Sequence, residues 1–345
     1  MRRSRSKGRV RWRAGAPVLA GLLLAAGPPA RVDAQVANNS GALFLVFPVG
    51  AQAVGMGQAA MALEGRSEAA FWNPAGLASL DQDEFTLHSA TLAAGATHAV
   101  SLYFPSRGIG VLGGAIYLVD YGDLDRTDSL NNTIARIAPR NFEFLASYAA
   151  ALGGAFAFGI NYKLIEFRVD CSGDCRDFPS GEGLTHAIDV GGQVSLGETG
   201  ALRLGFALRN VGFKLQVQNR EQADPLPAQL AAGASYHVDL PGGRQPDPDH
   251  PSAAADHFDL ALAADVDSPW GETGKPELRL GFDVGYRQLV RVRGGYAFLH
   301  DGLSGPSVGM GLRSGSLGVD LARMFLTGSD LMAANPTFVS FRLAF

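Results

Sequence analysis

From Phe85 to the C-terminus, apolar residues alternate with polar or small ones at a period of two, the spacing that puts side chains on opposite faces of a β-strand. In PELRLGFDVGYR, Leu278, Leu280, Phe282, Val284 and Tyr286 share one face, and Arg279, Gly281, Asp283, Gly285 and Arg287 share the other. HFDLALAADVD sets Phe258, Leu260, Leu262 and Val266 against Asp259, Asp265 and Asp267. LVRVRGGYAF sets Val290, Val292 and Tyr296 against Arg291 and Arg293, and LGVDLARMF sets Leu317, Val319 and Leu321 against Gly318, Asp320 and Ala322. Such segments fall at 85–92, 96–104, 109–119, 142–152, 155–168, 184–196, 201–217, 228–239, 257–267, 276–287, 289–298, 305–313, 317–325 and 337–345. Most have about the 9–11 residues a tilted strand needs to cross a bilayer, longer than the ~5–6 residues usual in soluble sheets. The pattern predicts an all-β fold, a transmembrane antiparallel β-barrel of about 14 strands.

The connections test this independently. If both ends of the barrel lie on one side, the turns PSRG, GG, GETG, RQ and SGS fall on that side, and all are short. The opposite side receives Asp120–Asn141, Val169–Gly183, Gln218–Pro227, Ser268–Lys275 and Leu326–Pro336. Short periplasmic turns and longer outer loops are the asymmetry of outer-membrane barrels. The short link near Ala93 and the long Leu240–His257 segment break the rule. The second reads either as a periplasmic docking loop or as a slip in strand parity.

Composition changes the picture in two ways. The chain is 47% hydrophobic with 44 glycines, yet beyond its start no apolar run reaches the ~18 residues of a membrane helix. The start itself has the three parts of a secretory signal. Arg2, Arg3, Arg5, Lys7, Arg9, Arg11 and Arg13 form a basic region, an apolar run spans 14–26, and Val32-Asp33-Ala34 offers small residues for cleavage. Residues 1–34 therefore read as a signal peptide. Removing their basic residues leaves an exported chain more acidic than the formal charge of −4, which argues against a nucleic-acid partner. The two cysteines, Cys171 and Cys175, are too few for a disulfide scaffold. As CSGDC in an outer loop they read as a local disulfide rather than half of a zinc site, which wants four ligands.

Residues 35–84 do not alternate as barrel strands do. Asn73 before Pro74 has the form of a helix start, Asn as N-cap and Pro at the first position, and Gly55–Gly65 reads as another short helix. At the other end TFVSFRLAF places Val339, Phe341, Leu343 and Phe345 on one face. A last strand closing on a terminal aromatic is the form of the signal read by outer-membrane barrel-assembly machinery.

The run GALFLVFPVGAQAVGMGQAAMALEGRSEAAFWNPAGLASL resembles the N-terminus of FadL-superfamily outer-membrane proteins, and more narrowly of the PorV/PorQ branch. The resemblance rests on Gly41, Phe44 and Leu45; on Gly55, Met56, Gly57 and Ala59; and on Trp72, Asn73, Pro74, Ala75, Gly76 and Leu77. It covers about 40 residues, and the rest is alike only in pattern. It implies a bacterial outer-membrane barrel over 85–345, facing lipid, with residues 35–84 as an N-terminal hatch or plug in its lumen. It further implies passive transport of a hydrophobic small molecule or, alternatively, a PorV-like accessory and shuttle role among the proteins of a type IX-like secretion system. The chain is shorter than the FadL transporters, with smaller outer loops.

No motif points to an enzyme or a cofactor. GIGVLG (108–113) matches a dinucleotide fingerprint but runs into the strand AIYLV rather than a helix. GPSVG (305–309) matches a nucleophile elbow, yet Ser307 sits in an alternating strand. Asp120, Asp123, Asp125 and Asp128 lack the spacing of a calcium loop, and no metal site is expected. The inward charges carry more meaning. Asp259, Asp265, Asp267, Arg279, Asp283, Arg287, Arg291, Arg293, Arg313, Asp320 and Arg342 fall on polar faces of neighbouring strands. An acidic strand beside a mixed and a basic one suggests a cross-strand ladder of ion pairs lining the lumen, which either holds plug and wall together or forms a polar conduction path.

Overall fold

In the computed structural model, the described residues are 41–106, 108–176, 181–197, 200–216, 223–241, 257–270, 276–287, 289–299, 304–327 and 335–345. The expected signal peptide, residues 35–40 and most of the Leu240–His257 segment lie outside them. The strands are β1 (Glu84–Leu92), β2 (Gly95–Ser106), β3 (Gly110–Asp120), β4 (Leu124–Thr127), β5 (Thr133–Leu152), β6 (Phe156–Gly173), β7 (Glu182–Leu196) and β8 (Leu202–Gly212). The second half has β9 (Gln229–Pro241), β10 (His257–Pro269), β11 (Glu277–Tyr286), β12 (Val290–Phe298), β13 (Ser304–Ser314), β14 (Leu317–Met324) and β15 (Thr337–Ala344).

Each strand pairs antiparallel with its neighbours, β1 pairs with β15, and β3 pairs directly with β5. The sheet thus closes on itself, and β4 stands outside the wall as a flap on β5. Closure leaves no wall strand with an unpaired edge, which a bilayer demands because lipid cannot satisfy backbone N–H and C=O groups. Fourteen strands form the wall. Pro241 and His257 face each other at the end of the β9–β10 pair, so the parity does not slip across the long connection between them.

The alternation sorts the faces in the sense a membrane requires. Along β14, Leu317, Val319 and Leu321 point out while Gly318, Asp320 and Ala322 are buried inside. The outward set elsewhere includes Leu262, Leu280, Val292 and Val308, all large, apolar and exposed, an outer surface that only lipid would cover. The ends Glu84 and Ala344 lie together on the rim that carries the short turns.

Two local expectations change. The stretch read as an outer loop over 120–141 contains β4, and β5 and β6 extend past the wall as a hairpin. Pro139 masks this extension in the sequence, because proline reads as a strand break. Gly55–Gly65 is not a helix. A short α1 spans Ala51–Gly55, and Gly57 (φ 65°) and Gln58 (φ 67°) turn the chain left-handed directly after it. The small residues there serve close approach rather than helix formation.

That approach is built on facing rows of small residues. Ala149, Gly159, Gly191, Ala207 and Ala231 stand opposite one another across β5–β9, as do Ala263, Gly281, Gly295 and Ser307 across β10–β13. The backbone of residues 41–80, the inner segment, lies against them. A Cβ on Gly281 would sit 2.1 Å from the Met56 carbonyl oxygen, and one on Gly295 2.1 Å from the Gly57 nitrogen. Nothing lies near a Cβ built on Gly154 in the β5–β6 turn. Gly281→Val should therefore destabilise the folded barrel by roughly 1–3 kcal/mol or more through overpacking. Gly154→Ala should stay within about 0.5 kcal/mol. The temperature at which the folded electrophoretic band is lost reports both.

Candidate functional site

The inner segment has little regular structure, so its own backbone leaves many groups unpaired. Short 3-10 turns at Leu43–Val46, Ser67–Phe71 and Pro74–Ser79 satisfy some of them. Wall side chains satisfy others. Asp265 Oδ2 accepts from the N–H groups of Ala60 (2.5 Å) and Met61 (2.8 Å). Ser340 Oγ accepts from Ala51, Ser307 Oγ from Gly57, and Glu84 Oε1 from Ser67. Gln193 Nε2 donates to the carbonyls of Met61 and Leu63, Asn161 Nδ2 to that of Ala70, and Ser235 Oγ to that of Ala62. Within the segment, Glu68 Oε1 accepts from Ala53 N–H.

The FWNPAGL stretch sits at the centre of this. Asn73 Oδ1 accepts from Ala75 N–H as an N-cap, and its Nδ2 donates to the carbonyls of Met61 (2.7 Å) and Gly192 (3.2 Å). One side chain thereby caps a turn, ties two parts of the segment together and docks on the wall. The turn it starts is a 3-10 helix. Leu77 is buried with Ala70, Leu80, Tyr103, Val111 and Ala149, and Met56 packs with Ala59 and Ala263. Gly55 lies against the backbone of Gly309, and a Cβ on Gly76 would meet the Leu63 carbonyl. Trp72 is buried, donates from Nε1 to the Val49 carbonyl, and lies 5.7 Å from each of the Arg209 and Arg279 guanidinium groups.

The inward charges form two layers. Toward the short-turn rim, Arg293 bridges Asp283 (2.8 Å) and Asp320 (2.5 Å), Arg291 bridges Asp283 and Asp259, and Arg342 pairs with Glu84. Arg66 of the inner segment joins this layer through Asp320 at 2.7 Å, and Glu64 pairs separately with Arg203. Higher in the lumen, Lys163 lies between Glu143 (2.8 Å) and Asp189 (2.9 Å), Arg209 pairs with Asp267, and Arg279 with Asp267 and Glu277.

The expected ladder is thus present only in part. Asp265 faces Arg279 in register, yet its carboxylate holds two backbone N–H groups instead of the guanidinium. Arg313 forms no ion pair among the described residues, and Arg287 lies over the Tyr286 ring at the β11 end. Sequence reasoning missed Glu84, Glu143, Lys163, Asp189 and Arg209. Alternation marks some of them: Lys163 falls between Tyr162 and Leu164, and Asp189 between Ile188 and Val190.

The remaining candidates are placed as follows. Cys171 and Cys175 are joined as a disulfide at the outer end of β6. Phe341, Leu343 and Phe345 lie on the outward face of the last strand, where the Phe345 N–H donates to the Asp83 carbonyl. The acidic loop is committed locally: Asp120 to Arg140, Asp123 and Asp125 to Arg136, and Asp128 to the N–H groups of Leu130 and Asn132. The Asn132 N–H above all holds the Asp128 carboxyl below its ordinary pKa. Among the described residues no His, Cys, Asp or Glu group is arranged to hold a metal ion.

Beside the upper layer lies a cavity of about 20 Å³, room for little more than one water. Phe47, Phe71 and Trp72 line one side, and Tyr117, Glu143, Lys163, Arg209 and Arg279 the other. Above it, toward the long loops, Phe44, Leu45 and Val49 pack with Tyr117, Val119, Ile165, Leu215 and Leu226.

A closed wall of antiparallel strands, apolar outside and polar within, defines a transmembrane β-barrel. Among solved structures, the chain is similar to the toluene transporter TbuX of Ralstonia pickettii, at 12% identity and a TM-score of 0.54 over 86% of this chain and 98% of that one. It is also similar to the CymD monoaromatic hydrocarbon channel, at 13% identity and a TM-score of 0.54 over 86% and 97%. The P. putida toluene transporter TodX matches at 11% identity and a TM-score of 0.52 over 86% and 98%. No family model and no curated protein sequence matches. At these identities the likeness shows a shared fold.

Asp265→Ala should leave two buried N–H groups without an acceptor, at about 1–3 kcal/mol each, and loosen the inner segment without opening the wall. A cysteine at position 60 should then become reactive to a water-soluble maleimide. Asp265→Asn, which keeps an acceptor oxygen, should protect it in large part.

Proposed function

We propose that this chain is an outer-membrane barrel that passes a hydrophobic small molecule passively, with residues 35–84 as its hatch. The observation that carries the reading is how the described part of that segment is seated: against glycine rows, with its backbone tied to wall side chains and cavities of about 10 and 20 Å³ beside it. A lumen filled in this way favours small solutes that follow apolar contacts over hydrated ones. The fold shared with toluene and monoaromatic hydrocarbon channels supports the same class of solute. The role is non-enzymatic, and the barrel faces outer-membrane lipid. Barrel-assembly machinery reading the terminal strand is part of the proposal.

Placement in the PorV/PorQ branch, and with it a secretion-accessory role, rests on the Trp72–Leu77 motif and its spacing from Gly55–Gly57. We place it second.

Two measurements separate the readings. Cells expressing the protein should take up labelled toluene at low concentration faster than cells carrying an empty vector. An Ala51→Cys/Ser340→Cys disulfide between hatch and wall should slow that uptake, and reductant should restore it. Uptake equal to the vector control would overturn the transport reading. A stoichiometric protein partner in gently extracted membranes would then favour the secretion role.

A further inference from the structure

Arg313 stands apart in the charged layer at the short-turn rim. Among the described residues its side chain has neither an ion pair nor a hydrogen bond. It lies on β13 just before the turn at Gly315, in one row with Gly318 of β14 and Arg342 of β15. Arg342 turns into the lumen toward Glu84, and Arg313 shares that face. The strongest charged neighbours of Arg313 are Arg66, Arg342, Glu84 and Arg291, three cations against one carboxylate. That carboxylate is already committed, Oε1 to the Ser67 N–H and Oε2 to Arg342. The others nearby are committed as well. Asp283 accepts from Arg291 and Arg293, Asp320 from Arg293 and Arg66, and Asp259 from Arg291. Glu68 faces inward to the Ala53 N–H, with Arg66 and Arg293 as its cationic neighbours. The Arg313 guanidinium is thus left without a carboxylate.

These donors are within reach of solution, and there is room beside them. The side chains of Arg66 and Arg342 keep 15% and 12% of their surface, and Arg313 is half-buried. None of their nitrogens is among the buried atoms that lack a partner, whereas Nη2 of the deeper Arg293 is. With strands about 4.8 Å apart, Arg313 and Arg342 stand roughly 10 Å from each other across Gly318. A Cβ built on Gly318 would meet nothing closer than Arg342 Cβ at 3.6 Å and the Leu312 carbonyl oxygen at 3.8 Å. The row therefore has an open place between two arginines. Guanidinium N–H groups match the oxygens of a carboxylate or phosphate in both charge and geometry. Arg66 spends only Nη1 on Asp320, so its other donors are open to the same ion. An oxyanion held there would join Arg66 of the inner segment to Arg313 and Arg342 of the wall.

We propose that Arg313, Arg342 and Arg66 form a binding site for a small oxyanion at the short-turn mouth of the barrel, above Gly318. The site depends on the barrel and its inner segment, not on which solute the barrel passes. The test is equilibrium dialysis of labelled inorganic phosphate, and separately of labelled acetate, against the full chain in maltoside micelles. Ionic strength is held constant with chloride. At least one of the two should bind saturably, and the tighter one assigns the site to the phosphate or the carboxylate class. Arg313→Gln should weaken that binding about tenfold, the worth of one charge-assisted hydrogen bond. Arg176→Gln, in an exposed outer loop, should leave it unchanged. Gly318→Asp places a carboxylate of the chain itself in the open position. It should abolish binding of the added anion and raise the temperature at which the folded band is lost in anion-free buffer. Gly318→Asp carries the test even where Arg313→Gln fails to fold. Absence of saturable binding, equal loss in Arg313→Gln and Arg176→Gln, or wild-type binding in Gly318→Asp would overturn the proposal. Toluene uptake by cells decides the transport reading separately.

Discussion

A backbone packed inside a membrane barrel, away from both lipid and bulk water, has to find its hydrogen-bond partners within the protein. The wall strands meet this through closure, each pairing on both sides until β15 returns to β1. Residues 41–80 cannot, because they form only brief helical turns. Their donors and acceptors are met by side chains projecting from the wall: Asp265, Ser340, Ser307, Glu84, Gln193 and Asn161. The inward face of the barrel is polar largely for this reason. It receives an irregular chain rather than a column of water.

Close fit and charge follow from the same constraint. Side chains of the wall can reach the inner backbone only where the wall itself steps back, which the rows of Gly and Ala provide. Charges brought into such a space are costly unless matched, and here several are shared between two partners, as Arg293 is between Asp283 and Asp320. Buried pairs of this kind add little net stability, but removing one partner is costly, about 3–5 kcal/mol. They therefore specify one seating of the inner segment more than they strengthen the barrel. The layer around Lys163 and Arg209 differs in bordering a cavity of about 20 Å³ that Phe47, Phe71 and Trp72 of the inner segment also line.

Much of the wall is legible in the amino-acid sequence alone. Period-two alternation places fourteen strands close to their observed bounds, because an antiparallel wall with lipid on one side imposes that period along its whole length. It fails where the environment changes: β5 and β6 run beyond the wall into water, and Pro139 and polar residues hide them. The Asn73 cap is legible because capping is a local interaction between residues two apart. The structure at Gly55–Gly65 is not, since small residues serve helices and close packing alike, and only the positive φ angles of Gly57 and Gln58 separate the two.

The sequence by itself determined the class of fold, the direction of the faces, the side that carries the long loops and most of the charges turned inward. These follow from period, run length and turn composition, each a property of a few neighbouring residues. Which carboxylate meets which partner was decided only by the tertiary structure. Asp265 and Arg279 stand in register, yet one holds the backbone of Ala60 and Met61 and the other turns to Asp267 and Glu277. That choice depends on an inner segment about 200 residues away in the chain, and no local pattern can record it.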